Sequence, residues 1–248
     1  MPSREEAKTV VRRLHALSGS AEIVRKAAAR ELARRDPLDA NELLHQVIFL
    51  ARESWEPATC VLSAFVAALG QEAASIPYAD SMRRMAEVQS LESVADLFET
   101  APAQKEFDEG AAAKADARLL TQSLGHLKQQ ARLTRDPDML ARLVTVSNPA
   151  VVRNALLNPR LTEPLVVRMA ARRPARPEPL VEIWKSSRWS SRHAVRRALV
   201  FNPYLPPEVG VKIVPLLNAS DLAELAADAS VHPSLRDQAA RLLAGESR

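Results

Sequence analysis

A chain of 248 residues, 47% hydrophobic and 26% charged, is long enough to bury a core and too apolar to be wholly disordered. An aromatic share of only 4%, six glycines and abundant Ala, Leu, Arg and Glu exclude an all-β protein, because these residues favour helices over strands. The net charge of +4 is unevenly distributed. Residues 150–200 hold eleven Arg or Lys against three acids, a net charge of +8, so an anionic partner would be drawn to that segment.

The first hundred residues predict successive amphipathic helices, because apolar residues recur three and four positions apart between capping residues. Ser3 with Glu6 forms a capping box before the first helix, and Ser20 begins the second. Asp39 with Glu42 begins the third. These signals predict a helical bundle at the start of the chain.

The fourth predicted helix runs from about Pro57 to Leu69 and ends at Gly70. It is apolar on nearly every face, so it should be the most buried helix. Cys60 lies in it and is expected to be a small buried hydrophobe, and one cysteine excludes a disulfide or a cysteine-based metal site within the chain. Two weaker helices are predicted at 82–88 and 91–98.

Residues 101–113, reading APAQKEFDEGAAA, break the helical pattern with a proline, an acidic cluster and Gly110. We therefore predict a linker here, between an N-terminal helical domain at 1–100 and a second domain at 114–248. The second domain begins with a long predicted helix at about 114–133.

A repeat of about 44 residues follows in the second domain. Val152–Leu156 aligns with Val195–Leu199, and Asn158–Leu161 aligns with Asn202–Leu205. Asn-Pro also occurs at Asn148, so short helices separated by Asn-Pro turns are predicted. Asn tolerates the left-handed conformation that ends a helix, and Pro cannot continue one. A single helix pair cannot bury its apolar stripe alone, so the pairs are expected to stack on one another.

The Val-Arg-x-x-Ala-Leu element and the Asn-Pro-x-Leu turn resemble those of the HEAT family and of its relative, the leucine-rich repeat variant, over about Asp136 to Gly245. The resemblance implies an all-α fold, a right-handed α-solenoid of short helix pairs preceded by an N-terminal helical bundle. It also implies a curved surface used for binding. Some repeat variants hold an iron–sulfur cluster through cysteines, but this chain has one cysteine, so that feature is not carried over.

Signatures of catalysis are missing from the sequence. The five histidines form no His-x-x-x-His pair, and no phosphate loop or nucleophile elbow is present. We therefore expect no enzyme, no metal and no cofactor. A HEAT-like DNA glycosylase resembles the chain in size, helicity and basic charge, but it would need an acid held between aromatic residues, a pattern that the sequence does not contain.

The candidate binding residues come from the basic segment. Trp184 continues an apolar stripe and is expected in the core, whereas Trp189 lies in a turn, where an exposed indole would stack on a base or on a partner's side chain. A basic run also fits a solvated outer face. The candidates are Arg172, Arg173, Arg176, Lys185, Arg188, Trp189, Arg192, Arg196 and Arg197.

The sequence favours a scaffold that presents its helical surface to a protein partner, an acidic one if the basic segment makes the contact. The alternative is a nucleic-acid-binding protein that uses the basic repeats on phosphates. No apolar run reaches the ~20 residues that a membrane-spanning helix needs. The charged N-terminus lacks the apolar core of a secretory signal, so a cytoplasmic location is expected.

The cap pattern and its interruption generate the first prediction. Circular dichroism should show a helical protein with negligible sheet, and limited proteolysis should cut first between Ala101 and Ala113, because exposed polar segments are cleaved before packed ones. Cleavage inside the Asn-Pro turns with a protected 101–113 segment would contradict the predicted domain boundary.

Overall fold

The fold is described by a computed structural model of residues 2–108, 121–144, 146 and 148–246. Within these residues the regular elements are helices and no strand is present, so the all-α prediction is confirmed. Sixteen α-helices and three short 3₁₀ segments make up this part of the chain. The first helices are α1 (Arg4–His15), α2 (Ala21–Ala33), α3 (Pro37–Arg52), α4 (Glu56–Gln71), α5 (Ala79–Val88) and α6 (Glu92–Ala95). The following helices are α7 (Leu124–Leu133), α8 (Pro137–Leu143), α9 (Pro149–Leu156), α10 (Glu163–Ala170), α11 (Pro177–Lys185), α12 (Ser187–Ser190), α13 (His193–Val200), α14 (Pro207–Ile213), α15 (Ala219–Ala227) and α16 (Pro233–Glu246).

The predicted helix starts are correct for α1 and α2 and wrong for α3. The Ser3 side chain caps α1 as predicted. Asp36, rather than Asp39, caps α3, and its Oδ1 accepts hydrogen bonds from the backbone amides of Leu38 and Asp39 at 2.9 and 3.0 Å. Pro37 occupies the first turn, where its missing N–H is no loss, so this cap replaces the predicted capping box.

The fourth helix is longer than predicted, because α4 continues through Gly70. It buries Val61, Leu62, Phe65 and Val66 completely, in agreement with its apolar sequence. α4 packs against α1, α2 and α3, so it lies at the centre of the N-terminal helices.

The described residues form two compact units. The first draws on Met1–Ala101, Val211–Asp228 and Pro233–Arg248, and the second on Pro102–Gly210 and Ala229–His232. The last two helices, α15 and α16, therefore group with the N-terminal helices, although they are distant from them in sequence.

This grouping differs from the linear division predicted from composition. The domains at 1–100 and 114–248, with a linker at 101–113, remain a prediction about which parts fold alone, and residues 109–113 lie outside the described residues. The long helix predicted at about 114–133 is described only in its second half. There, α7 begins after the cap Ser123, whose hydroxyl accepts from the His126 amide at 3.3 Å.

Long-range polar contacts hold the returning helices in the first unit. Arg52 of α3 donates from Nη1 to the carbonyl oxygen of Leu217 at 2.8 Å. Buried Gln238 of α16 donates from Nε2 to the carbonyl oxygen of Val211 at 3.0 Å. Each bond gives a backbone carbonyl at or near a helix end a side-chain donor.

The first repeat in the second unit depends on the side chain of Asn158. This residue is fully buried, and its Nδ2 donates to the carbonyl oxygens of Ala131 at 2.9 Å and Thr134 at 3.0 Å. Its Oδ1 accepts from the backbone amide of Arg160 at 2.8 Å. The amide therefore closes the C-terminal end of α7 and fixes the turn between α9 and α10.

Asn202 makes the same three hydrogen bonds 44 positions later. Its Nδ2 donates to the carbonyl oxygens of Ala170 at 2.7 Å and Arg172 at 3.0 Å, at the end of α10. Its Oδ1 accepts from the backbone amide of Tyr204 at 3.1 Å. The sequence recurrence is thus a recurrence of one interaction, in which a buried amide of one helix pair satisfies carbonyls of the pair before it.

The left-handed conformation predicted for the Asn-Pro turns is wrong. The non-glycine residues with positive φ in the described part of the chain are Ser54 and Ser90, at 60° and 57°. Asn148 has a different role from the two repeat asparagines, because it caps the start of α9 by accepting from the Ala150 amide at 3.0 Å. Asparagine is used in these turns for its hydrogen bonds rather than for backbone freedom.

The matched geometry predicts matched energetics. Asn158→Ala and Asn202→Ala should each lower the free energy of unfolding by about 1–3 kcal/mol, because two helix-end carbonyls lose a buried donor. Urea denaturation of the full chain measures the loss. The control is Asn154→Ala, which removes only a bond to the Ala150 carbonyl one turn earlier and should change stability by no more than about 0.5 kcal/mol. Unequal losses at the two repeat positions would contradict their equivalence.

Candidate functional site

The structure separates the nine predicted binding residues by exposure. Arg173, Lys185, Arg188 and Arg192 are exposed, whereas Trp189 is buried. The other four, Arg172, Arg176, Arg196 and Arg197, are half-buried. The basic segment is therefore not a single solvent-facing stripe.

The prediction of an exposed Trp189 is wrong. Its side chain is only 4% exposed, and Nε1 donates to the carbonyl oxygen of Leu156 at 3.0 Å. The turn that holds it is itself a short helix, α12, which directs the indole inward against α9. Trp184 is also 4% exposed, which confirms its predicted place in the core. Neither indole offers a stacking surface to a ligand.

Two of the predicted cations bind backbone carbonyls at helix ends. Arg196 donates from Nε to the carbonyl oxygen of Ser190 and from Nη2 to that of Ser191, both at 2.7 Å. Arg173 donates from Nη2 to the carbonyl oxygen of Phe201, which caps α13. A guanidinium is favourable at the negative end of the helix dipole, so these side chains stabilise the fold directly.

Three further cations contact rings or a carboxylate within the second unit. The Cζ atom of Arg197 lies 4.7 Å from the centre of the Phe201 ring, and that of Arg176 lies 5.1 Å from the centre of the Phe107 ring. Arg192 lies 4.0 Å from a carboxylate of α10. Arg172 lines a small apolar cavity of about 20 Å³, which is large enough for one water molecule.

Lys185 and Arg188 are the predicted residues that line an open groove. The groove lies where α9 packs against α11, and its volume is about 520 Å³. Sequence reasoning missed its apolar residues, although Leu157, which is 54% exposed, directly precedes the repeat asparagine. The complete lining is Arg153, Leu156, Leu157, Glu182, Lys185, Ser186, Ser187 and Arg188.

An ion pair crosses the groove from α9 to α11. Arg153 donates from Nε and Nη2 to the two carboxylate oxygens of Glu182 at 2.7 and 2.8 Å. These hydrogen bonds hold the pKa of Glu182 below its usual 4.5, against burial, which raises it, and the charge of Lys185 lowers it further. Glu182 is thus ionised at neutral pH and neutralises Arg153.

Arg188 of α12 is held in place in the groove lining. Its Cζ atom lies 4.5 Å from the centre of the Trp189 ring, and Nη1 donates to the carbonyl oxygen of Asn158 at 3.4 Å. Trp189 is anchored in turn by its bond to Leu156. The exposed guanidinium therefore rests on a buried indole and beside the repeat asparagine. With Arg153 paired, the groove lining carries a net charge of +2 from Lys185 and Arg188.

The described residues form no metal-binding cluster and no membrane-spanning helix. Among the described residues, no three His, Cys, Asp or Glu side chains lie together where they would hold a metal ion. Burial lowers the pKa of His45, whose Nδ1 lies 3.1 Å from the Ser93 hydroxyl in the first unit. None of the helices described is both long enough and apolar enough to cross a bilayer.

The lowered pKa of Glu182 predicts how stability depends on pH. A carboxyl whose pKa is lower in the folded than in the unfolded state stabilises the fold above the unfolded value and loses that contribution as the pH falls through the folded one. The stability difference between the unmodified chain and Glu182→Gln should therefore be largest above about pH 4.5 and shrink below it. Urea denaturation across this range measures the difference. When Arg153→Gln is already present, adding Glu182→Gln should no longer give a stability difference with this pH dependence. A stability difference between the unmodified chain and Glu182→Gln that is constant with pH would contradict the role of the ion pair.

No protein-family model, no curated protein and no solved structure matches the chain. The resemblance to HEAT-like repeats consequently depends on the residue pattern of the sequence alone.

Proposed function

We propose that the chain is a non-enzymatic binding module whose second unit forms a HEAT-like solenoid and presents the groove between α9 and α11 to a protein partner. The observation that carries the proposal is the groove itself, which is open and combines an exposed leucine, two hydroxyls and a net positive charge. A cytoplasmic location is part of the same proposal.

The solenoid part of the proposal is supported by the way in which the helix pairs are joined. Asn158 ties the first pair to α7, and Asn202 ties the next pair to α10. Helices of eight residues are not stable alone, so each pair depends on its neighbours, as in repeat proteins. Stacked pairs leave an extended surface, and such surfaces serve mainly for binding.

A protein partner is favoured over a nucleic acid by the chemistry of the groove. Exposed apolar area beside a few fixed charges is typical of protein interfaces, whereas phosphate recognition needs many cations directed at solvent. Several arginines of the basic segment instead hold carbonyls or rings, and Trp189 is buried. Nucleic-acid binding remains the second candidate because seven of the eleven cations of the segment are exposed.

The glycosylase-like alternative has less support. Such an enzyme would need an acid available to act on its substrate. The carboxylate in this groove belongs to Glu182, and both of its oxygens accept hydrogen bonds from Arg153. An acid held in a bidentate ion pair fits a structural role better than proton transfer.

Selection of peptides from a display library on the immobilised full chain tests the proposed function. We expect a convergent set of short peptides whose binding is lost in Leu157→Ser, because that change removes the exposed apolar side chain of the groove. Leu124→Ser is the matched control, since Leu124 is 45% exposed on α7 and lies outside the groove lining. Failure to enrich any sequence, or equal loss in both variants, would contradict the proposal.

Direct measurement of duplex DNA binding to the full chain provides the competing outcome. Binding that persists with submicromolar affinity near ~150 mM salt would favour the nucleic-acid alternative, because contacts to phosphates weaken steeply as salt rises. Arg188→Glu and Lys185→Glu are the informative charge reversals. Arg196 is unsuitable for this purpose, since its guanidinium holds two backbone carbonyls.

A further inference from the structure

We propose that the occupant of the groove is an acidic segment of a partner protein, with a carboxylate bound by Lys185 and Arg188 and an aliphatic side chain packed on Leu157. This inference rests on the proposed function and makes it specific, because it states the chemistry of the partner. Its support is the charge, the preorganisation and the apolar exposure of the groove.

Charge complementarity selects an anion. Glu182 already accepts both hydrogen bonds of the Arg153 fork, so that pair is internally neutral. Lys185 and Arg188 then give the lining its net charge of +2, and both side chains are exposed. A basic segment would be repelled by this positive charge, whereas a segment with Glu or Asp would complement it.

The position of Arg188 is fixed before any ligand binds. Its guanidinium lies over the Trp189 ring and donates one hydrogen bond to Asn158, and Arg has five N–H donors in a planar fork. A carboxylate matches the spacing of two of those donors. Because the indole and the asparagine carbonyl already restrict the side chain, binding costs less conformational entropy than it would with a mobile arginine.

A small free anion would not cover the apolar part of the groove. Leu157 is 54% exposed at the end of α9, beside the buried Leu156. The serines Ser186 and Ser187 add hydroxyls that suit the backbone amides and carbonyls of an extended segment. A volume of about 520 Å³ lies within the range of sites for drug-sized ligands, so it accommodates a few side chains rather than a folded domain.

A nucleic acid fits the same residues less well. Stacking of bases needs an exposed aromatic ring, and the indole beside this groove is buried beneath Arg188. Phosphates alone would leave Leu157 without an apolar partner. The groove therefore favours a mixed acidic and aliphatic protein segment.

The test uses the full chain and two fluorescein-labelled probes, a short peptide of alternating leucine and glutamate and the same peptide with glutamine at each glutamate. We expect fluorescence anisotropy to show binding of the glutamate peptide and much weaker binding of the glutamine peptide. Lys185→Gln and Arg188→Gln should each weaken binding of the glutamate peptide about fivefold, the effect of a partly exposed charge pair. Leu157→Ser should weaken both peptides.

Arg168→Gln is the matched control, because it removes an exposed arginine of the same basic segment outside the groove lining. We expect it to leave peptide affinity nearly unchanged, and circular dichroism with urea denaturation should show that each variant is folded. Equal affinity for the two peptides, or equal effects of Arg168→Gln and Arg188→Gln, would overturn the inference. Stronger binding of a single-stranded DNA probe of equal charge would overturn it in favour of nucleic acid.

The two proposals fail in different ways. If display selection yields peptides without acidic residues whose binding is still lost in Leu157→Ser, the groove binds protein segments and only the acidic inference is wrong. If the glutamate peptide binds equally well to Leu157→Ser, Lys185→Gln and Arg188→Gln, the groove is not the binding site and both proposals are wrong.

Discussion

The fold depends on buried side-chain amides that donate hydrogen bonds to backbone carbonyls of other segments, most of them at helix ends. Asn41, Asn158, Asn202 and Gln238 are each at most 2% exposed, and each donates from its side chain to a backbone carbonyl of another segment. Short helices leave a large share of their carbonyls unpaired, so a chain of short helices needs such donors throughout its core. In Asn41 and Gln238 the amide oxygen has no hydrogen-bond partner within the described residues, which indicates that the donor is the half of the amide that the fold uses.

Arginine side chains nearer the surface also donate hydrogen bonds to backbone carbonyls. Arg52, Arg173 and Arg196 direct guanidinium N–H groups at carbonyls, each in its own unit. Such contacts stabilise helix ends by charge as well as by hydrogen bonding. These guanidinium groups keep their charge but direct N–H donors at carbonyls of the chain itself. A high local count of arginine therefore overstates the number of donors directed at a ligand, and the groove is defined by the cations that are exposed beside apolar area.

The groove is formed between separate helices rather than by any local motif. Its walls come from α9 and α11, and its cation Arg188 is fixed by Trp189 below and by the repeat asparagine beside it. One tryptophan thus joins the core to the candidate site, because it packs inside while it supports an exposed guanidinium. This coupling makes Asn158 both a structural residue of the repeat and a neighbour of the site.

Sequence alone determined what depends on near neighbours. The helical class follows from composition, the caps at Ser3 and Ser20 follow from residue type, and the 44-residue recurrence correctly equated Asn158 with Asn202. Tertiary structure decided what depends on distant partners. The inward direction of Trp189 requires the Leu156 carbonyl, and the ion pair of Arg153 requires Glu182 on another helix.

The grouping of α15 and α16 with the N-terminal helices also depends on distant partners. It involves contacts such as that between Arg52 and Leu217, which are 165 residues apart in the chain. Helix propensity and capping act over three or four residues, so they can be recognised in the sequence. The partner of a guanidinium or an indole is chosen by packing between helices, for which a single sequence carries no local signal.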